Sequence, residues 1–187
     1  GWTIYSGDEM QIHSGSHNMS GGPNAVPLGA ADGDYYMDME SSPNAIGIEQ
    51  TISGLDAGNL YNLSFSVADK ALADPGYYAN NPQLGEYQGT TSTILEVYWN
   101  GGLVKTIHTG TTEWLEFSFD LEAQGGDNTL RFVEIGVDGD NHGSALDDIK
   151  LVDKAALLDI QGTVDNVSDG ETVTLTITDG TNSQDVT

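Results

Sequence analysis

Along most of the first 154 residues, apolar and polar side chains alternate in short blocks. Tyr61, Leu63, Phe65 and Val67 are apolar at every second position, with Asn62, Ser64 and Ser66 between them. Leu115, Phe117, Phe119 and Leu121 alternate in the same way with Glu116, Ser118 and Asp120. A period of two marks strands with one face in a core and the other in water. The same pattern predicts strands at Glu9–His13, Tyr35–Glu40, Ala45–Ile52, Tyr61–Asp69, Thr93–Trp99, Leu103–Ile107, Glu113–Leu121, Thr129–Gly136 and Ala145–Val152. Turns are marked by Ser53-Gly54-Leu55-Asp56-Ala57-Gly58, Asn100-Gly101-Gly102 and Gly125-Gly126-Asp127-Asn128. Strands of this number and length fit an all-β fold, a two-sheet antiparallel sandwich or jelly roll. Trp2, Trp99 and Trp114 each belong to or adjoin a strand and are expected in the core or at its edge.

Two segments break the rhythm. His17–Asp34 is rich in Gly, Pro and Asn, and Ala71–Thr91 carries Pro75, Pro82, Tyr77, Tyr78 and Tyr87. Long loops in compact domains are functional or disordered, and tyrosines favour function. Tyr77, Tyr78 and Tyr87 are therefore candidates for the wall of a ligand groove, Tyr78 and Tyr87 leading, the alternative being packing against their own sandwich. After Lys154 the character changes: residues 155–187 hold no Lys or Arg and suggest two strands split by Ser168-Asp169-Gly170. Two strands alone are marginal, so 1–154 is expected to be a ligand-binding domain. Residues 155–187 are then the start of a following repeat or a docked tail.

Composition changes the picture through charge. There are 29 Asp+Glu against 5 Lys+Arg, a net charge of −24, and no cysteine. This acidity disfavours nucleic acid and anionic membrane surfaces as partners. No apolar run reaches the roughly 18 residues of a membrane span. The chain begins at Gly1 without a signal-peptide pattern and is read as a monomeric module of a larger protein. Without disulfides, bound cations are the natural staple, because the unfolded chain lacks the preformed site.

The densest candidate chemistry is Val137–Ile149, where Asp138, Asp140, Asp147 and Asp148 accompany Asn141, His142 and two glycines. Oxygen donors on a folded-back backbone suit calcium, which takes six to eight oxygens. Asp138, Asp140 and Asp147 lead the metal candidates. By strand parity Asp147 shares a side with Ile149 and Leu151, which predicts that it faces the core and needs a metal ion, a buried hydrogen bond or a Lys/Arg partner there. Asp148, on the other side, is an ambiguous further ligand. Asp38 and Glu40 lie two apart, so one strand face would project both, either as ligands or as solvated residues. His142, Asn141 and Lys70 are candidates for contacting a ligand, His142 being suited to donate to a carboxylate. The Asp38/Glu40 pair is also the only hint of acid–base chemistry, and without a nucleophile beside an oriented base no enzyme is expected.

Three stretches together carry a resemblance. Tyr36-Met37-Asp38-Met39-Glu40-Ser41-Ser42-Pro43 with Gly47-Ile48-Glu49-Gln50-Thr51-Ile52 resembles the opening strands of galactose-binding-like jelly rolls. Ala145-Leu146-Asp147-Asp148-Ile149-Lys150-Leu151 resembles their closing strand, and Leu95–Gly101 with Trp114–Phe119 resembles the middle strands. Adding Gln11–His17, Tyr61–Lys70 and Asp138–Ile149, the set resembles the calcium-dependent peptide-binding domain of giant bacterial RTX adhesins. Val167–Gly180 looks like the start of their extender repeats. The resemblance implies secretion to the bacterial cell surface, a part in cell adhesion and biofilm formation, and calcium-mediated capture of C-terminal peptides of host surface proteins. The rival expectation is a calcium-dependent carbohydrate-binding module, since this sandwich class also binds sugars and fold alone does not decide function.

Overall fold

The structure, a computed structural model, describes residues 1–16, 28–41, 44–69, 93–109, 111, 113–136, 143–154, 175–178 and 183–186. Its strands are β1 (Thr3–Ser6), β2 (Gln11–Ser14), β3 (Tyr35–Asp38), β4 (Glu40–Ser41), β5 (Asn44–Ala45), β6 (Gly47–Ile52) and β7 (Leu60–Asp69). They continue with β8 (Leu95–Trp99), β9 (Gly102–Ile107), β10 (Leu115–Glu122), β11 (Asn128–Glu134), β12 (Ser144–Asp153), β13 (Leu175–Thr178) and β14 (Ser183–Val186). No helix among the described residues is long and apolar enough to cross a membrane.

The chain divides into Gly1–Leu157 and Leu158–Thr187. In the second unit, β13 and β14 form an antiparallel pair from Leu175↔Val186 to Thr178↔Ser183. The first unit is an antiparallel two-sheet sandwich of the jelly-roll type. One sheet runs β1-β6-β11-β8-β9 and the other β10-β7-β12-β3-β2. Its core is the alternation seen in the sequence: Leu63, Phe65 and Val67 of β7 with Met37 and Leu146 are buried together with Ile48, Leu95, Val97, Leu130 and Phe132 of the facing sheet. Phe65 bridges the layers, its ring 4.9 Å from Phe132 in an edge-on arrangement. It also lies 5.9 Å from Phe117 and 6.1 Å from Phe119. Phe117 and Phe119 are only partly buried because β10 is the outermost strand of its sheet.

The turn at Asn100-Gly101 follows the expected chemistry, with φ of 50° and 80° joining β8 to β9 through left-handed residues. Strand β1 was not legible from periodicity, because Ile4 and Tyr5 are neighbours that are both exposed. Trp99 is buried and donates Nε1–H to the Glu122 carbonyl at 2.7 Å, while the Trp2 ring lies 5.8 Å from Phe132, tilted by 56°. Trp114 belongs elsewhere. It packs with Leu28 and Ala30 on a second apolar cluster of Tyr36, Ala68 and Ala145. Residues 28–34, the end of the segment expected to interrupt the strands, thus cover this cluster. The Trp114 indole donates to the Gly29 carbonyl at 3.2 Å.

Candidate functional site

Two apolar stripes of the core end in an acid. On β7 the run Leu63, Phe65, Val67 continues to Asp69; on β11 the run Leu130, Phe132 continues to Glu134. Asp69 is 1 % and Glu134 3 % exposed, joined by Asp38 and Glu40 at 1 % each. A buried carboxylate is costly unless donors or a cation compensate, so four among the described residues call for explanation.

They converge on Gly143–Ser144, where the acidic segment 137–142 rejoins the sandwich. Ser144 is the cross-strand partner of Asp69. The Asp69 carboxylate accepts the Thr109 hydroxyl at 2.6 Å. Gly143 lies so close to Glu40 that an added Cβ would sit 2.4 Å from the Glu40 Cβ. Ala145, the next residue, pairs with Asp38. One Asp38 oxygen accepts the Glu40 N–H at 3.0 Å, and the other lies 3.4 Å from the His13 Nε2.

Glu134 is held by three backbone donors. Its Oε1 accepts the N–H groups of Ile94 (2.6 Å) and Gly136 (3.2 Å), and its Oε2 accepts that of Ser144 (2.9 Å). Burial pushes its carboxyl up to about 7, overcoming these donors, which favour the anion. A closed ring of hydrogen bonds passes through it. Ser144 donates to Glu134, Met39 to the Ser144 carbonyl (2.9 Å), Ile46 to the Met39 carbonyl (2.8 Å), and Glu134 back to the Ile46 carbonyl (2.9 Å). The ring fastens β11 of one sheet to β12 of the other. Tyr36 is buried among Ala68 and Ala145, and its hydroxyl has no hydrogen-bond partner among the described residues. Burial first, then the Asp38 charge, raises it to about 12.

The expected site residues separate into three groups. Asp38 and Glu40 do come to this end. They do not stand side by side on one strand face, however, because a bend at Met39 ends β3 and turns the Asp38 carboxylate onto the Glu40 backbone. Asp147 does not face the core. The register slips between Asp147 and Lys150, with Asp148 in the left-handed region at φ 53°. This bulge adds a residue and reverses the parity that linked Asp147 to Ile149 and Leu151. Asp147 instead pairs across from Ser66 and anchors residues 28–34. Its Oδ2 accepts the N–H of Ala31 (2.8 Å) and of Asp32 (3.1 Å), and its Oδ1 that of Asp148 (2.8 Å). Asp148 forms an ion pair with Lys150 at 2.5 Å. Asp138, Asp140, Asn141, His142, Lys70, Tyr77, Tyr78 and Tyr87 lie outside the described residues.

Asp69 and Glu134 are the residues that sequence reasoning passed over. The signal was present: in both, an apolar alternation runs without a break into a carboxylate at the strand end. Among the described residues no group of three or more His, Cys, Asp or Glu is placed to hold a metal ion. The donors at this end are carboxylate oxygens, which suit a hard cation, but they supply only part of a coordination set.

No protein-family model matches the chain, and no curated protein does. Similar solved structures include a family 35 carbohydrate-binding module from Paenibacillus barcinonensis, at 19 % identity and a TM-score of 0.44, covering 81 % of this chain and 92 % of that one. A family 35 module from Clostridium thermocellum is 20 % identical, with a TM-score of 0.40 and coverage of 81 % and 97 %. The C-terminal domain of EclA, a sugar-binding protein, is 18 % identical, with a TM-score of 0.43 and coverage of 70 % and 86 %. These likenesses are too distant to transfer a ligand.

Proposed function

We propose that Gly1–Leu157 is a non-catalytic, calcium-supported carbohydrate-binding module. The observation that carries this is the convergence of buried Asp38, Glu40 and Asp69 on Gly143–Ser144, the point where the segment holding Asp138 and Asp140 rejoins the fold. Glu40 and Asp69 would form the buried wall of a calcium site, with the remaining oxygens drawn from Asp138 and Asp140. Calcium, when bound, supplies positive charge and positions for exogenous oxygens. A neutral polyol brings oxygen donors without adding charge to a chain at −24, whereas a terminal carboxylate adds one more negative group. Asp38 and Glu40 are too deeply buried, and Asp38 too fully engaged by His13 and the Glu40 N–H, to serve as an acid–base pair on a substrate.

Capture of a peptide C-terminus by a secreted adhesin is the second reading. It is favoured by a cleft of about 300 Å³ lined by Trp2, Ile12, Tyr35, Met37, Leu146 and Asp148, whose apolar wall suits a peptide side chain. A glycan array, run beside matched free-acid and amidated peptides with calcium and with chelator, separates the two. The carbohydrate reading expects glycan signals that chelation removes. Calcium-dependent binding of the free-acid peptide alone, with no glycan retained, would replace it by the peptide reading.

A further inference from the structure

The two long segments that carry most ligand candidates, 70–92 and 137–142, meet the described structure close to one side chain. Ile94 stands just beyond the first segment, and Gly136 and Ser144 flank the second. All three donate their N–H groups to the Glu134 carboxylate. The surrounding backbone repeats the connection, with Ile135 donating to the Ile94 carbonyl at 2.8 Å and the four-membered ring tying Glu134 to Ser144, Met39 and Ile46. Both carboxylate oxygens thereby accept backbone N–H groups. A carboxyl group suits this position, because both of its oxygens can accept an N–H whereas an amide offers only one acceptor oxygen. Three backbone donors converge from segments separated by up to 50 positions (Ile94 to Ser144).

We propose that Glu134 is a positioning residue: one carboxylate holds the described ends of both segments in fixed relation and thereby sets how tightly the acidic end takes its cation. This rests on the calcium reading above for its functional consequence, although the clasp itself is a statement about Ile94, Gly136 and Ser144. In Glu134→Gln one oxygen becomes an NH₂ group that faces an N–H donor. A bond is then lost and two donors oppose each other at nearly constant volume.

The experiment uses the full chain, calcium alone as the probe, and two variants. Calorimetric calcium titration and amide-exchange protection by NMR are compared for wild type, Glu134→Gln and Glu134→Asp. Glu134→Gln should weaken calcium binding by about 10–100-fold, as loss of a residue that orients metal ligands does. It should accelerate exchange at Ile94, Gly136 and Ser144 while the Phe132 amide, between two paired strands, stays protected. Glu134→Asp keeps both acceptor oxygens and should recover part of the affinity and of the Ser144 protection. Unchanged exchange at the three amides in Glu134→Gln overturns the clasp. Faster exchange with wild-type calcium affinity overturns its link to the site. If wild type takes up no calcium, the calcium reading fails by itself and with it that link, and the exchange comparison still decides the clasp. Should Glu134→Gln not fold, Glu134→Asp supplies the same two measurements.

Discussion

Gly143→Ala is a sharp test of the close approach at the acidic end. The added Cβ would lie 2.4 Å from the Glu40 Cβ and 2.7 Å from the Glu40 N, where ordinary contact begins at 3.4 Å. Relief therefore needs a separation of about 1.0 Å (3.4 − 2.4) between β12 and the backbone at Glu40. The neighbouring Met39 N–H···O Ser144 bond is 2.9 Å long, and the same movement would stretch it towards about 3.9 Å, beyond hydrogen-bond range. Overpacking of this kind costs about 1–3 kcal/mol, and a lost hydrogen bond adds about 1 kcal/mol. The expected destabilisation is therefore about 2–4 kcal/mol, or a fall in Tm of about 5–15 °C for a unit of this size. Chemical denaturation followed by tryptophan fluorescence suits the measurement, because Trp2, Trp99 and Trp114 all lie in Gly1–Leu157. Gly125→Ala is the control. Its added Cβ would meet only the Ala57 Cβ, at 3.7 Å, and should change stability by no more than about 0.5 kcal/mol. If Gly143→Ala unfolds at the same denaturant concentration as Gly125→Ala, the packing argument at this end is wrong.

Glu134 should also leave a mark on the pH dependence of stability. Its folded-state pKa, about 7, lies above its ordinary value of 4.5, so its favourable contribution is complete below about 4.5 and is lost as pH rises through about 7. The size is about 3 kcal/mol for the full shift, and Glu134→Gln should remove this fall from the stability profile. Parallel profiles for the two proteins would count against it. Deleting Leu158–Thr187 should leave the unfolding transition of Gly1–Leu157 cooperative and its midpoint unchanged, since β13 pairs with β14. A broadened or shifted transition would make the tail integral to the sandwich.

Alternation alone determined the class of fold and the composition of its core. Leu63, Phe65 and Val67 had to share a face because successive strand residues point to opposite sides, whatever the strand's partners. The Asn100-Gly101 turn was equally local, its left-handed backbone following from residue type. Periodicity could not reveal β1, whose apolar residues are exposed, or the side of the sheet on which Asp147 lies. Its parity depends on the bulge at Asp148, which is a property of the pairing with β7. The acidic end was legible only in part. Asp38 and Glu40 stood out as near neighbours in the chain, whereas Asp69 and Glu134 are 65 positions apart (134 − 69). They come together because Ser144 pairs with one and donates to the other. Local composition determines which residues prefer a strand or a turn; which carboxylates share a buried end is decided by the order of strands, through contacts between residues far apart in the chain.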